Sequence, residues 1–281
     1  MRRLGLFGFF ALWGWLAASF LFAGEGQAPD LETTYLAHFV NAPLDGGATQ
    51  STILVLSNPG EEAAQATLSF FSGNGDPVSL FVDGNEVEIV ERTLAPGASS
   101  IVFTQSLEPV SGWIQVVSPE TLRATGILSA FVPGLNREPG TPVVYSRIEA
   151  SIFAVEATLR ASVPVERSLP GFLFFPDLST AVAVVNPSSQ AARVTLTLLD
   201  DEASELFEVE LVLEPRTQQA RFVEELFPDI PLEQASFDAP FRFAGSLRVS
   251  SDTPIALTAL RTQGGVQLSS PPVGQLRQVS P

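Results

Sequence analysis

The chain writes one phrase twice. STILVLSNPGEEAAQATLSFF runs from Ser51 to Phe71 and TAVAVVNPSSQAARVTLTLLD from Thr180 to Asp200, with Thr52 under Thr180 and Asn58 under Asn186 at a shift of 128 positions. Asn58-Pro59 falls on Asn186-Pro187, and Thr67-Leu68 on Thr195-Leu196. Further on, LAPGASSIVF (Leu94 to Phe103) matches LEPRTQQARF (Leu213 to Phe222) at a shift of 119. GWIQVVSPETLRATGIL (Gly112 to Leu128) then matches GSLRVSSDTPIALTALR (Gly245 to Arg261) at 133. Three blocks in one order make two homologous units, so whatever one half folds into, the other must fold into as well.

Within each block the period is two. Val194, Leu196 and Leu198 alternate with Thr195 and Thr197, and Val87 and Ile89 alternate with Glu86 and Glu88. Such alternation predicts strands with one buried face. ILVLS and AVAVV, ahead of each Asn-Pro, are apolar on both faces and read as central strands that the proline ends. Pro96-Gly97 and Asp83-Gly84-Asn85 are turn chemistry, and Gly73-Asn74-Gly75 reads as a hairpin turn rather than a phosphate loop. Short strands spaced by turn signals predict an all-β chain. The expected arrangement is two tandem antiparallel β-sandwich domains of immunoglobulin-like size, at residues 29–157 and 158–272, with a C-terminal tail at 273–281. Helix is expected only as a short turn within Glu224 to Asp229. Glutamates at 86, 88, 208 and 210 are expected on strand edges, where their charge opposes pairing between molecules.

Residues 1–28 combine Arg2 and Arg3 with a stretch from Leu4 to Ala23 that is apolar except for Ser19, followed by a short spacer. That pattern is an export signal, cleaved after Ala23 or Ala28, or a retained membrane anchor, since the stretch is long enough to span a bilayer. Either way the bulk of the chain is expected outside the cytoplasm, extracellular or periplasmic at the cell envelope. Net charge is −16 and no lysine occurs anywhere, which excludes a nucleic-acid partner. Cysteine is absent, so no disulfide supports the fold.

The strings VNPSSQAARVTLTLLD, LEPRTQQARFVEELFP and FAGSLRVSSDTPIALTALR resemble an immunoglobulin-like sandwich repeat common in secreted bacterial proteins of unassigned role. The likeness covers most of the second unit and, more weakly, the first, where QSLEP replaces ELFP. It implies fold and export, and it carries no catalytic residue across.

The inventory of reactive side chains excludes much. One histidine without cysteine builds no structural zinc site and no HExxH helix, and without lysine there is no P-loop, Schiff base or Ser-Lys pair. His38 lies on the first strand, where alternation places it with Leu36 and Val40, and it reads as a half-buried strand histidine. Two acidic sets remain: Asp200, Asp201, Glu202 and Glu205 in a hairpin, and Glu224, Glu225 and Asp229 in the ELFP element. A paired-carboxylate glycosidase could use either, but acidic loops on an anionic protein are usually solvated. Asp200, Asp201 and Glu202 are the candidates for a weak calcium site, and no other cofactor is expected. Aromatic candidates for ligand contact are Trp113, Phe237, Phe241 and Phe243; together with Phe172, Phe174 and Phe175 the phenylalanines are denser than a core needs, and the patch at Phe237, Phe241 and Phe243 reads more simply as core or as a seal between the halves. The chain therefore reads as a non-enzymatic, exported structural, adhesive or envelope-associated protein whose partner is a protein or glycan. The alternative is a carbohydrate-binding, less readily a glycan-cleaving, accessory protein. A periplasmic assembly chaperone fits poorly, because that family anchors its client's carboxylate with a lysine and an arginine.

Overall fold

In the computed structural model the described residues are 30–43, 49–131, 144–149, 154–164, 178–230, 241–263, 267–269 and 273–278. Residues 1–29, read from the sequence as an export signal or anchor with its spacer, and Phe172, Phe174, Phe175 and Phe237 lie outside them. Among the described residues no helix is long and apolar enough to cross a membrane. Leu31–Pro281 clusters as one compact unit. Its strands are β1 (Leu31–Pro43), β2 (Thr49–Ser57), β3 (Ala64–Ser72), β4 (Leu80–Val82), β5 (Asn85–Val87), β6 (Ile89–Leu94), β7 (Ser99–Gln105), β8 (Val110–Pro119), β9 (Arg123–Phe131) and β10 (Val144–Glu149) in the first half. The second half holds β11 (Ala154–Pro164), β12 (Leu178–Val185), β13 (Ala192–Leu199), β14 (Glu205–Leu213), β15 (Gln218–Phe222), the short helix α1 (Val223–Leu226), β16 (Phe241–Gln263), β17 (Gln267–Ser269) and β18 (Val273–Gln278).

The chain is all-β and its sheets are antiparallel, one sheet in each half. Each sheet curls around its own core in a barrel-like way, where two separate layers were expected. In the first half β1 makes the sheet continuous: it pairs with β8 along most of its length and with β2 at Ala42 and Pro43. In the second half β16 does so, pairing with β11 and β13 through its first part and with β12 and β17 through its second. Residues 273–281, read as a tail from the sequence, supply β18, which pairs with β11.

The pairing registers carry the duplication. Leu68 faces Val116 and Val90 in the first half, and Leu196 faces Val249 and Val209 in the second. Thr52 faces Leu128 where Thr180 faces Arg261. These pairs are related by the shifts of 128, 119 and 133 read from the sequence. Inward residues follow the alternation, so Val194, Leu196 and Leu198 are buried in one core and Leu54, Leu68 and Phe70 in the other. Gly112 and Gly245 occupy equivalent positions. A Cβ at Gly112 would stand 1.8 Å from the Phe71 carbonyl oxygen, and one at Gly245 would stand 2.2 Å from that of Leu199.

The repeated phrase is explained by its asparagines. Asn58 is buried, and its side-chain Nδ2 donates to the carbonyls of Glu62 at 2.7 Å, Leu94 at 3.1 Å and Ala95 at 3.3 Å, while its Oδ1 accepts from Gly60 N at 3.1 Å. Asn186 repeats the set with Gln190 at 2.7 Å, Leu213 at 3.0 Å and Glu214 at 3.1 Å, and accepts from Ser188 N at 3.1 Å. Each asparagine thus ties the turn after its own strand to the turn that enters β7 or β15. Thr52 and Thr180 tie in the first strand of each half, through Val40 N and Ser162 N, both at 3.0 Å.

Strand edges follow the acidic pattern in part. Glu86 lies on β5 and Glu208 and Glu210 on β14, each strand outermost in its sheet, while Glu88 falls in the bend between β5 and β6.

Candidate functional site

The aromatic candidates do not gather. Trp113 is only 2 % exposed and stacks on Phe71 with ring centroids 4.4 Å apart and planes at 18°. Phe243 is buried in the core of the second half. Phe241 pairs with Pro164 at the start of β16, and its side chain lies outside the described residues, as does all of Phe237.

Trp113 instead forms part of a seam between the halves. Tyr35, Ala37 and Trp113 from the first half pack with Val185 and Ala256 from the second, with Phe71 against them. Leu260 and Ala181 of the second half pack against the first core. Polar contacts fix the seam at one corner. Gln218 N donates to Gly73 O at 2.8 Å, and Gln218 Nε2 donates to Ala37 O at 2.5 Å and Gly112 O at 3.0 Å. Gly75, with φ +88°, lies against Arg216, and a Cβ there would stand 2.4 Å from the Arg216 carbonyl oxygen. Arg216 takes the left-handed φ of 59° at the turn equivalent to the one where Gly97 has φ 70° in the first half. The Gly-Asn-Gly stretch is therefore a hairpin turn that also receives the other half. Sequence spacing held no signal for that second role, because the contact lies between residues far apart in the chain.

His38 belongs to this corner. Strict alternation would place it with Leu36 and Val40, but a β-bulge between Leu36 and Phe39 sends both of those residues into the core and turns His38 to Gln218. Gln218 Nε2 lies 3.3 Å from His38 Nδ1. Since that amide nitrogen already donates to two backbone carbonyls, the amide orientation is fixed and the imidazole must present an unprotonated Nδ1. Burial holds the His38 pKa down at about 4, from an ordinary 6.5. Between those values the unfolded chain binds a proton that the folded chain does not. Stability therefore rises with pH across the window, is complete above 6.5 and is lost as pH falls toward 4. The expected loss is up to about 3 kcal/mol, because each tenfold change in proton affinity is worth about 1.4 kcal/mol. Urea titrations at pH 7 and pH 4.5 check this: His38→Leu should narrow the gap between the two midpoints, and an unchanged gap would count against the assignment.

Asp200, Asp201, Glu205, Glu224 and Glu225 are engaged with other groups of the fold, while Glu202 and Asp229 are exposed. Asp200 Oδ1 accepts from Glu202 N at 2.9 Å and Ser204 N at 2.8 Å, closing the β13–β14 turn in which Ala203 has φ 63°. Asp201 pairs with Arg160 at 2.9 Å, and Glu202 is exposed. Glu224 accepts from Ser179 Oγ at 2.6 Å, and Glu225 accepts from Phe222 N at 3.0 Å at the start of α1. Among the described residues no group of three or more His, Cys, Asp or Glu side chains is placed to hold a metal ion.

Two surface features remain. A cavity of about 350 Å³ is lined by Ala42, Pro43, Thr49, Gln50, Ser51, Phe81, Gly84, Gln105, Ser106 and Leu107, with no charged side chain among the described residues. Beside it, the outer face of β7, β2 and β9 carries Ile101 and Phe103, each 55 % exposed, with Ile53, Val55 and Ile127 half-buried. Compared with known proteins, the chain matches no family model and no curated sequence.

Proposed function

We propose that the protein is an exported, non-enzymatic structural or adhesive component of the cell envelope, built from two homologous antiparallel β modules joined into one body. The observation that carries the reading is the seam. Trp113, His38 and Gln218, the residues of these strands best suited to ligand contact or proton transfer, are engaged in holding one module against the other. The described carboxylate candidates support turns and a helix start in the same way. What the described surface offers is an uncharged cavity and an apolar sheet face, which suit binding without chemistry. The test is co-sedimentation of the purified protein with cell envelopes of its source and with insoluble polysaccharides, with and without calcium. Envelope binding without turnover is expected. Hydrolysis of a glycan that disappears in Glu225→Gln would overturn the reading.

The cavity favours a second reading, a carbohydrate-binding accessory protein. Gln50, Gln105, Ser51, Ser106 and Thr49 supply amides and hydroxyls, and Phe81 supplies an aromatic ring. Retention on one polysaccharide, lost in Phe81→Ala with the fold intact, would move the assignment to this class.

A further inference from the structure

The duplication allows each surface of one half to be compared with its counterpart in the other. In the second half, the outer face of β12 and β16 carries Ala181, Ala183, Val185, Ala256, Thr258 and Leu260. All are buried or nearly so, because the first half covers them at the seam. The same shifts bring Ala181 onto Ile53, Ala183 onto Val55 and Leu260 onto Ile127. The first half therefore carries the counterpart of the docking face, and nothing among the described residues covers it. It is enlarged by Ile101 and Phe103 on β7, opposite Val55 and Ile53.

From this we infer that the outer face of β2, β7 and β9 docks a second copy of the chain, face on face about a two-fold axis. Charge selects the occupant. On β2, β7 and β9 the described positions of this face are Ser51, Ile53, Val55, Ser57, Ser99, Ile101, Phe103, Gln105, Arg123, Thr125, Ile127 and Ser129, which include one cation and no acid, while β10 beyond β9 places Arg147 opposite Ile127 and Glu149 opposite Thr125. On a chain of net charge −16, most approaches of one copy to another bring acids together, whereas the centre of this face carries none and its border offers one acid beside one arginine. The aromatic surface that the second half docks against is not available on another copy, since it is already covered in the first half. Its counterpart in the second half carries Arg160, Arg193 and Arg248 paired with Asp201, Glu210 and Glu205. A symmetric pairing needs only the apolar face itself, twice. Twelve described positions form the face, against the roughly 20–30 residues a side of a standard interface, so the dimer is a weak one.

Sedimentation velocity of the purified protein, from micromolar to millimolar concentration, tests the inference. The wild type should shift from monomer toward dimer as concentration rises, and more readily at high salt, because screening removes the general repulsion while the contact is apolar. Phe103→Asp and Ile101→Asp should each weaken association by about tenfold or more. Ile89→Asp, a control at an apolar residue 56 % exposed on β6, should leave association unchanged. As a second readout the chain has no cysteine of its own, so Ile53→Cys gives a single thiol near the axis that should oxidise to a covalent dimer faster than Leu206→Cys on β14. A wild type that stays monomeric throughout, or a dimer indifferent to both β7 substitutions, would overturn the proposal.

Discussion

Asn186→Ala should lower the stability of the protein by about 2 kcal/mol or more, and Asn58→Ala by a similar amount. Each asparagine is about 1 % exposed or less, and its removal takes away four hydrogen bonds, including the one that Gly60 N or Ser188 N donates to it, while Ala95 O keeps Ala98 N, Gln190 O keeps Ser188 Oγ and Glu214 O keeps Thr217 N and Oγ1. A buried group left unsatisfied costs about 1–3 kcal/mol, reduced here to the extent that water replaces the amide at the part-buried carbonyls. Aspartate is no substitute, because an ionised carboxylate cannot donate. Urea unfolding of the two variants reads the effect and also the coupling of the halves. One shared transition displaced in both variants would mean that the halves unfold together. Loss of less than about 1 kcal/mol in both would mean that the carbonyls find other partners, and would remove this explanation of the repeated Asn-Pro.

Trp113→Ala should cost about 3–5 kcal/mol, the range for emptying a buried aromatic site. The cavity would open at the seam, between Phe71, Tyr35 and Val185, so its effect should include loosened contact between the halves. Limited proteolysis should then cut between β10 and β12 sooner than in the wild type. Trp113→Phe should be much milder, because the indole N–H has no hydrogen-bond partner to lose. Equal damage from both substitutions would show that the ring's size, rather than its burial in the seam, decides the matter.

The strands and their registers were legible because both rest on local pattern. Period-two alternation sets the inward face, and the three offsets that align the phrases also align the pairings. Three features were not legible, and each has a physical cause. The bulge between Leu36 and Phe39 adds a residue without any change in composition, so alternation assigned His38 to the wrong face. Trp113 is an aromatic on an outward position, which in one sequence reads equally well as a ligand platform or a seam. Gln218 and Gly75 each meet partners more than a hundred residues away, and a glutamine in a polar stretch announces no such contact. The glycine pair Gly112 and Gly245 was aligned correctly from the sequence, while the carbonyl that each admits is visible only in the fold.

The seam joins two unlike faces of homologous modules, and between free units a contact of that kind has no natural end. Each added unit would offer the face the next one needs, so a single ancestral module with both surfaces apolar would grow into a fibre. In the second half the receiving face has changed character. The surface of the second half that corresponds to Tyr35 and Trp113 bears Thr158 and Ser246 instead, among the ion pairs of Arg160 and Arg248. A third module arriving there would have to strip water from paired charges and receive no aromatic contact in exchange. Those arginines therefore oppose a further contact of the seam's kind, and aromatic residues placed at positions 158 and 246 should favour one.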